Sequence, residues 1–238
     1  MVIYFKDFVF PLIDLVRILA MNTNIAIYIT RDNSSKDFVN KQGQHAANYY
    51  FDTLLKLTRE DKIVNTMLVL KVFCNLFNSL NDVKQAPVQK LVNYMLHERL
   101  FLINKFKSYL ANENKSFQIS FSTLLLNYTV LIEKLNENSE KFSTAYISDV
   151  TMEFIEFFNS EALNESVFNF DFESIFRVMV CIGTLLTKTN AHKDSDYLVT
   201  VFKSLERGKR ICENIVQKSE KYPEKVHKSA SYLLKILN

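Results

Sequence analysis

Hydrophobic positions recur every three to four residues along most of this chain and are separated by short polar stretches. This spacing puts apolar side chains on one face of a helix and predicts amphipathic helices rather than strands. The pattern predicts about ten helices, at Phe10–Asn22, Gln44–Leu57, Asn65–Asn78, a long segment from Pro87 to Leu110, Ser116–Lys134, Thr144–Phe158, Phe172–Leu186, Ser195–Leu205, Gly208–Lys218 and Pro223–Leu237. Polar breaks are predicted at Arg31–Asn40 and Asn112–Lys115.

Three of the predicted helices are apolar on nearly all sides, with the sequences TMLVLKVFCNLF, FQISFSTLLLNYTVLI and SIFRVMVCIGTLL. A helix of this kind must be enclosed by neighbouring elements. Aligning Asn75, Asn127 and Gly183 gives separations of 52 and 56 residues, close to the period of helical repeat proteins. The pattern therefore favours an all-α, armadillo-like stack of helices, with a compact helical bundle as the alternative.

Composition excludes several classes of function. The chain has only 3 Gly and 3 Pro in 238 residues, and its isolated glycines form neither a P-loop nor a dinucleotide-binding fingerprint. The 3 cysteines have no Cys-x-x-Cys pair and no histidine at zinc spacing, so buried, reduced thiols are expected, and no metal site. No nucleophile, base and orienting group occur at usable spacing, so we predict neither an enzyme nor a cofactor.

Reduced thiols also predict a cytoplasmic and nuclear location. Charged residues interrupt the apolar N-terminus, which argues against a secretion signal. The longest apolar stretch, Ser116–Ile132, contains Gln118, Asn127 and other polar residues, so no membrane span is predicted and the protein is expected to be soluble.

Charge is distributed unevenly around a net value of +3. Residues 133–173 carry 10 acidic and 2 basic side chains, whereas residues 203–238 carry 9 basic and 4 acidic ones. An acidic middle segment disfavours wrapping of nucleic acid, which needs a continuous basic face. The charge distribution leaves two alternatives. One is a basic groove that holds a short acidic peptide, and the other is a scaffold that binds another protein or RNA through the basic stretch Lys203–Lys235.

A few polar side chains interrupt the apolar helices and are the candidate binding residues. Lys71 and Asn75 lie four residues apart on one helix, and Arg177 is surrounded by apolar neighbours on another. In the structural interpretation, Asn75 bonds to backbone and the cations reach solvent or a carboxylate. In the functional interpretation, the cations bind ligand carboxylates and the amide binds a peptide backbone. Asp14 and Arg17 are expected to pair with each other.

Four segments, in this order and spacing, resemble the PUL domain: FPLIDLVRIL at Phe10–Leu19, NTMLVLKVFCNLFN at Asn65–Asn78, NKSFQISFSTLLLNYTVL at Asn114–Leu131 and FESIFRVMVCIGTLL at Phe172–Leu186. The resemblance covers the chain from Phe10 to its C-terminus. It implies a single domain over residues 1–238, built as a stack of about six armadillo-like repeats. It also implies that the chain is the C-terminal part of a longer protein.

The resemblance implies a non-catalytic adaptor of ubiquitin-dependent degradation. Its expected partner is the acidic C-terminal tail of a hexameric AAA+ ATPase, valosin-containing protein. The two groove cations of the family fall on Lys71 and Arg177, and the groove asparagine falls on Asn75. The family usually has arginine at Lys71, and an ammonium keeps the charge but loses the planar, two-pronged contact with a carboxylate. A weaker contact is therefore expected there.

Overall fold

The computed structural model describes residues 9–29, 49–80, 86–110, 113–137, 144–158, 170–189 and 206–238. These residues form helices and turns without a β-strand, so the predicted all-α class is confirmed. The α-helices are α1 (Val9–Leu19), α2 (Thr23–Ile29), α3 (Tyr49–Leu55), α4 (Ile63–Leu76), α5 (Ala86–His97), α6 (Arg99–Lys107), α7 (Lys115–Glu137), α8 (Thr144–Phe158), α9 (Phe172–Thr189), α10 (Glu206–Gln217) and α11 (Glu224–Leu237). The chain divides into two compact units, residues 1–120 and 121–238, and each is described by itself.

Most predicted helices are present with ends shifted by a few residues, and α8 has the predicted bounds. The predicted long segment from Pro87 to Leu110 is divided in the structure, because α5 ends at His97 and α6 begins at Arg99, and ψ of Glu98 between them is 1° instead of a helical value. Helix α2 was not predicted. It follows α1 directly because Asn22 Oδ1 accepts hydrogen bonds from the backbone N–H groups of Asn24 and Ile25, at 3.0 and 3.3 Å.

Two predicted elements lie outside the described residues, the helix Ser195–Leu205 and the polar stretch Arg31–Asn40. The N-terminal part of the predicted helix Gln44–Leu57 also lies outside the described residues. Helix α3 corresponds to the remaining part of that predicted helix.

In the first unit, α4 is the central element of the core. Its fully buried apolar side chains are Val69, Leu70, Val72, Phe73 and Leu76. The Phe73 ring lies 5.1 Å from the Phe51 ring and 5.9 Å from the Phe106 ring, centroid to centroid. Helix α1 packs on α4, and its side of this contact includes the fully buried Ile13. The all-round apolar sequence of α4 is therefore explained by neighbours on several sides.

Among the described residues, one helical segment, Glu60–Leu80, is long and apolar enough to cross a membrane by length and composition alone. The segment that most resembles a membrane span is therefore Glu60–Leu80. From the sequence alone, Ser116–Ile132 is identified as the longest apolar stretch. Its apolar window is 61% buried within the protein. A core helix passes the same test, and burial of α4 accounts for its apolar character.

The second unit is organised around α9, which packs on α8 and α11, while α11 also packs on α10. Tyr128 of α7 is fully buried, with its ring centroid 5.5 Å from that of Phe154. Gly183 allows α9 to approach α11 closely, since a Cβ at this position would lie 3.3 Å from Leu233 Cδ2.

Helices α7, α9 and α11 run side by side in the same direction. Arg177 contacts Thr123 and Cys181 contacts Thr129, so residue numbers rise together along α7 and α9. The same holds for α9 and α11, where Glu173 contacts Lys225 and Gly183 approaches Leu233. Each pair is separated by 50 to 54 residues, the spacing of equivalent helices in successive repeats. The number of repeats stays a prediction.

Replacing Phe73 by alanine should lower the free energy of unfolding by about 3–5 kcal/mol, because it removes a fully buried aromatic side chain and leaves a cavity. Phe101→Ala in the same unit is the matched control, since that ring is 54% exposed. Its effect should stay within about 0.5 kcal/mol. Urea unfolding followed by far-ultraviolet circular dichroism measures both, and equal losses would contradict a core centred on α4.

Candidate peptide-binding site

Lys71 and Asn75 lie one turn apart on α4 in the first unit, and both side chains are half-buried. Within the described part of the chain, the Lys71 side chain makes no hydrogen bond or ion pair. An ammonium in this position can serve a ligand without first giving up a partner in those residues. Its burial also limits how many water molecules must leave when a carboxylate binds.

Asn75 has a structural role that is visible in the geometry. Its Nδ2 donates to the backbone oxygen of Arg17, at 2.8 Å. That carbonyl lies in the last turn of α1, where the next helical donor, Met21 N–H, bonds to Ile18 O instead. The amide therefore satisfies a carbonyl that the helix leaves without a backbone donor. This is the structural interpretation weighed for Asn75, and it links α4 to the end of α1.

The same turn of α1 contains the expected ion pair. Arg17 Nε donates to Asp14 Oδ1 at 2.7 Å, three residues back along the helix, which confirms that prediction. Since both side chains remain about one third exposed, the pair contributes little to stability. The pair instead fixes the position of the Arg17 side chain. The backbone carbonyl of the same residue accepts the hydrogen bond from Asn75.

Arg177 lies on α9 in the second unit and is held by two groups of that unit. Its Nε donates to Glu173 Oε1 at 3.0 Å, and its Nη1 donates to Thr123 Oγ1 of α7. The side chain is 26% exposed, so it is partly accessible to solvent. The predicted site residues are thus distributed over both units, Lys71 and Asn75 in the first and Arg177 in the second.

Lys225 of α11 is a second cation on the same carboxylate. Its Nζ lies 2.5 Å from Glu173 Oε2 and 4.9 Å from the centroid of the Phe176 ring. Hydrogen bonds from Lys225 and Arg177 hold the pKa of Glu173 below its ordinary value. We call Arg177 and Lys225 the cation pair. Each contacts a different oxygen of one carboxylate, which is the arrangement that an acidic ligand would require.

Sequence reasoning missed Glu173 and Lys225. Glu173 could have been found, because it lies four residues before Arg177 on one helix and that spacing favours an ion pair. Lys225 lies 48 residues after Arg177 and has no local pattern that distinguishes it from other lysines. Only the packing of α11 against α9 brings it to the carboxylate.

An open groove of about 510 Å³ adjoins the cation pair in the second unit. Its lining includes Val180, Gly183 and Thr184 of α9, and Lys228 and Tyr232 of α11. Val180 and Lys228 each lie three residues after a member of the cation pair, so the groove begins on the next turn of the same two helix faces. An extended peptide that placed a carboxylate on the pair would continue along this groove.

The remaining reactive groups do not suggest chemistry. All three cysteines are buried, as predicted, and burial raises the pKa of the Cys181 and Cys212 thiols to about 12. These thiols stay protonated at neutral pH and are poor nucleophiles. In the part of the chain that the structure describes, no group of three His, Cys, Asp or Glu side chains is placed to hold a metal ion.

The fold and the site define an all-α domain for protein interaction. The sequence model of the PUL domain matches residues 6–226, and the chain belongs to this family of adaptor domains. The phospholipase A-2-activating protein of Xenopus laevis is similar to it, with 26% identity over 188 residues, which is 78% of this chain. The matched region is 19% of that relative, so the chain spans about a fifth of its length.

Replacing Asn75 by aspartate should destabilise the first unit by about 1–3 kcal/mol, because the shape is kept while the donor to Arg17 O becomes an acceptor. Asn93→Asp, at an exposed position of α5, makes the same chemical change without that contact. Thermal and urea unfolding should therefore separate the two variants. A purely ligand-binding role for Asn75 would leave both as stable as the unsubstituted protein.

The Glu173 ion pairs should make stability depend on pH in the acid range. Since its pKa is lowered on folding, its contribution is complete above the ordinary value of 4.5 and is lost as the pH falls through the folded-state pKa. The difference in unfolding free energy between the unsubstituted protein and Glu173→Gln should thus be complete at pH 7 and smaller at the lowest pH at which the protein still folds. A difference that is equal at both values would contradict the ion pairs, and urea titrations at the two pH values measure it.

Proposed function

We propose that this chain is a non-catalytic adaptor domain that binds the acidic C-terminal tail of the AAA+ ATPase valosin-containing protein. The observation that carries the proposal is the cation pair beside an open groove, in a domain of the PUL family. Two cations that already hold one carboxylate between them have the spacing and chemistry to hold a carboxylate of a ligand.

The three residues expected from the sequence take separate roles in this proposal. Arg177 supplies a planar guanidinium, which can contact two oxygens of one carboxylate. Lys71 supplies a point charge for a second carboxylate of the tail. Because one N–H of Asn75 already donates to Arg17 O, we expect its Oδ1 to serve the ligand, by accepting a hydrogen bond from a peptide N–H.

The proposed complex is small and electrostatic. A tail of about ten residues buries less than about 1,200 Å² in total, so affinity in the micromolar range is expected. Part of the attraction acts through solvent-exposed charges and should weaken as salt is added. With this partner, the domain would act in ubiquitin-dependent degradation in the cytoplasm and nucleus.

The alternative surface, the basic stretch Lys203–Lys235, has less support. Two of its cations are paired within their own helices, Arg210 with Glu206 at 3.0 Å and Lys228 with Glu224 at 2.6 Å. Intrahelical pairs of this kind are typical of a solvated helix face. The acidic partners neutralise part of the positive charge that binding to RNA phosphates would need.

Titration of a fluorescent ten-residue peptide, copied from the C-terminus of valosin-containing protein, tests the proposal. We expect micromolar binding by the unsubstituted domain and at least about a thirtyfold loss on Arg177→Ala, as for an anchoring interface residue. The double variant Lys71→Ala, Arg177→Ala should bind more weakly still, and its unfolding transition should confirm that it folds.

The matched control for that double variant is Lys62→Ala, Arg210→Ala. It also removes one lysine from the first unit and one arginine from the second, and both of these side chains are exposed. The net charge change is identical, so a nonspecific electrostatic effect would appear equally in both double variants. Equal binding by the two, or no binding by the unsubstituted domain, would contradict the proposed site.

A further inference from the structure

The cation pair is already occupied by a carboxylate of its own chain. Glu173 places one oxygen 3.0 Å from Arg177 Nε and the other 2.5 Å from Lys225 Nζ. Its side chain is 34% exposed and that of Lys225 is 50% exposed, so both partners are in contact with solvent. The geometry is that of a bound acidic ligand, except that the acid comes from the preceding turn of α9.

An acidic ligand therefore meets a competitor at this site. Two cations and one carboxylate leave a net charge of one, and Glu173 repels a second carboxylate that approaches the same nitrogens. Glu173 is also present at high effective concentration, because its own helix holds it beside the pair. Exchange is nevertheless feasible, since a solvent-exposed ion pair is only weakly stabilising.

Resting on the proposed function, we infer that an acidic ligand binds by displacing Glu173 from Arg177 and Lys225, and that Lys225 is a further ligand-binding residue. A single carboxylate competes poorly with an internal one. A tail with several acidic residues gains further contacts along the groove. Glu173 thus lowers the affinity of every ligand that must displace it by the same factor, and a ligand with several carboxylates has enough other contacts to bind despite that loss.

The opposite role for Glu173 is that of a positioning residue, which orients the Arg177 guanidinium for the ligand. The two roles predict opposite changes when the charge is removed. With a competitor, Glu173→Gln increases affinity. With a positioning residue, the same substitution decreases it, because the amide no longer holds the guanidinium by charge.

The test compares binding of the fluorescent acidic tail peptide to the unsubstituted domain, Glu173→Gln and the control Glu206→Gln. Glu206 also pairs with an arginine four residues later, Arg210, at 3.0 Å, so the control removes the same charge from the same kind of pair. We expect binding to Glu173→Gln to be about fivefold tighter, the effect of removing one exposed competing charge. Glu206→Gln should bind as the unsubstituted domain does.

A second arm isolates Lys225 by adding Lys225→Met to Glu173→Gln. If Lys225 contacts the ligand, the combined variant binds about fivefold more weakly than Glu173→Gln alone, the cost of one exposed ionic contact. If Lys225 serves only to hold Glu173, the two variants bind equally, which overturns its role as a ligand-binding residue. Thermal unfolding checks that each variant is folded.

The outcomes separate this inference from the proposed function. Binding by the unsubstituted domain with an unchanged or weaker affinity in Glu173→Gln overturns the competition and leaves the proposed function standing. Absence of binding in every folded variant overturns both. A peptide with a single acidic residue provides a further check, since its affinity should increase on Glu173→Gln by the same factor as that of the acidic tail, and an unchanged affinity would contradict the competition.

Discussion

The close packing of α9 against α11 is the contact on which the cation pair depends. A glycine at position 183 lets the two helices approach until Leu233 nearly fills the space where a Cβ would be. Because the two helices run in the same direction, this contact also fixes their register near their N-terminal ends. There Lys225 contacts Glu173. Apolar packing between two helices therefore decides which charged groups are neighbours at the surface.

The charges at the site remain partly solvated, and this has consequences for both stability and binding. Forming a fully buried ion pair would cost much desolvation free energy. Loss of one of its partners would then strongly destabilise the protein. Here the Arg177 side chain is 26% exposed, and its guanidinium contacts a carboxylate and a hydroxyl. Partners at a half-exposed position can be exchanged at small cost.

Much of the fold followed from local pattern. Apolar residues at helical spacing predicted α8 with its observed bounds, and the all-round apolar sequence of α4 predicted its enclosure. The errors have local physical causes as well. Glu98 interrupts a helical pattern by a change in ψ that no proline or glycine signals. Helix α2 begins because Asn22, three residues after the end of α1, caps it.

The sequence by itself determined which residues are neighbours within one helix, because 3.6 residues per turn brings side chains four positions apart together. That rule links Lys71 with Asn75 and Glu173 with Arg177. Only the tertiary structure decided that Asn75 serves a carbonyl of α1 and that Lys225 shares the carboxylate of Glu173. Such contacts span about 50 residues or more and depend on the register between helices, which close packing of many apolar side chains establishes and no short motif encodes.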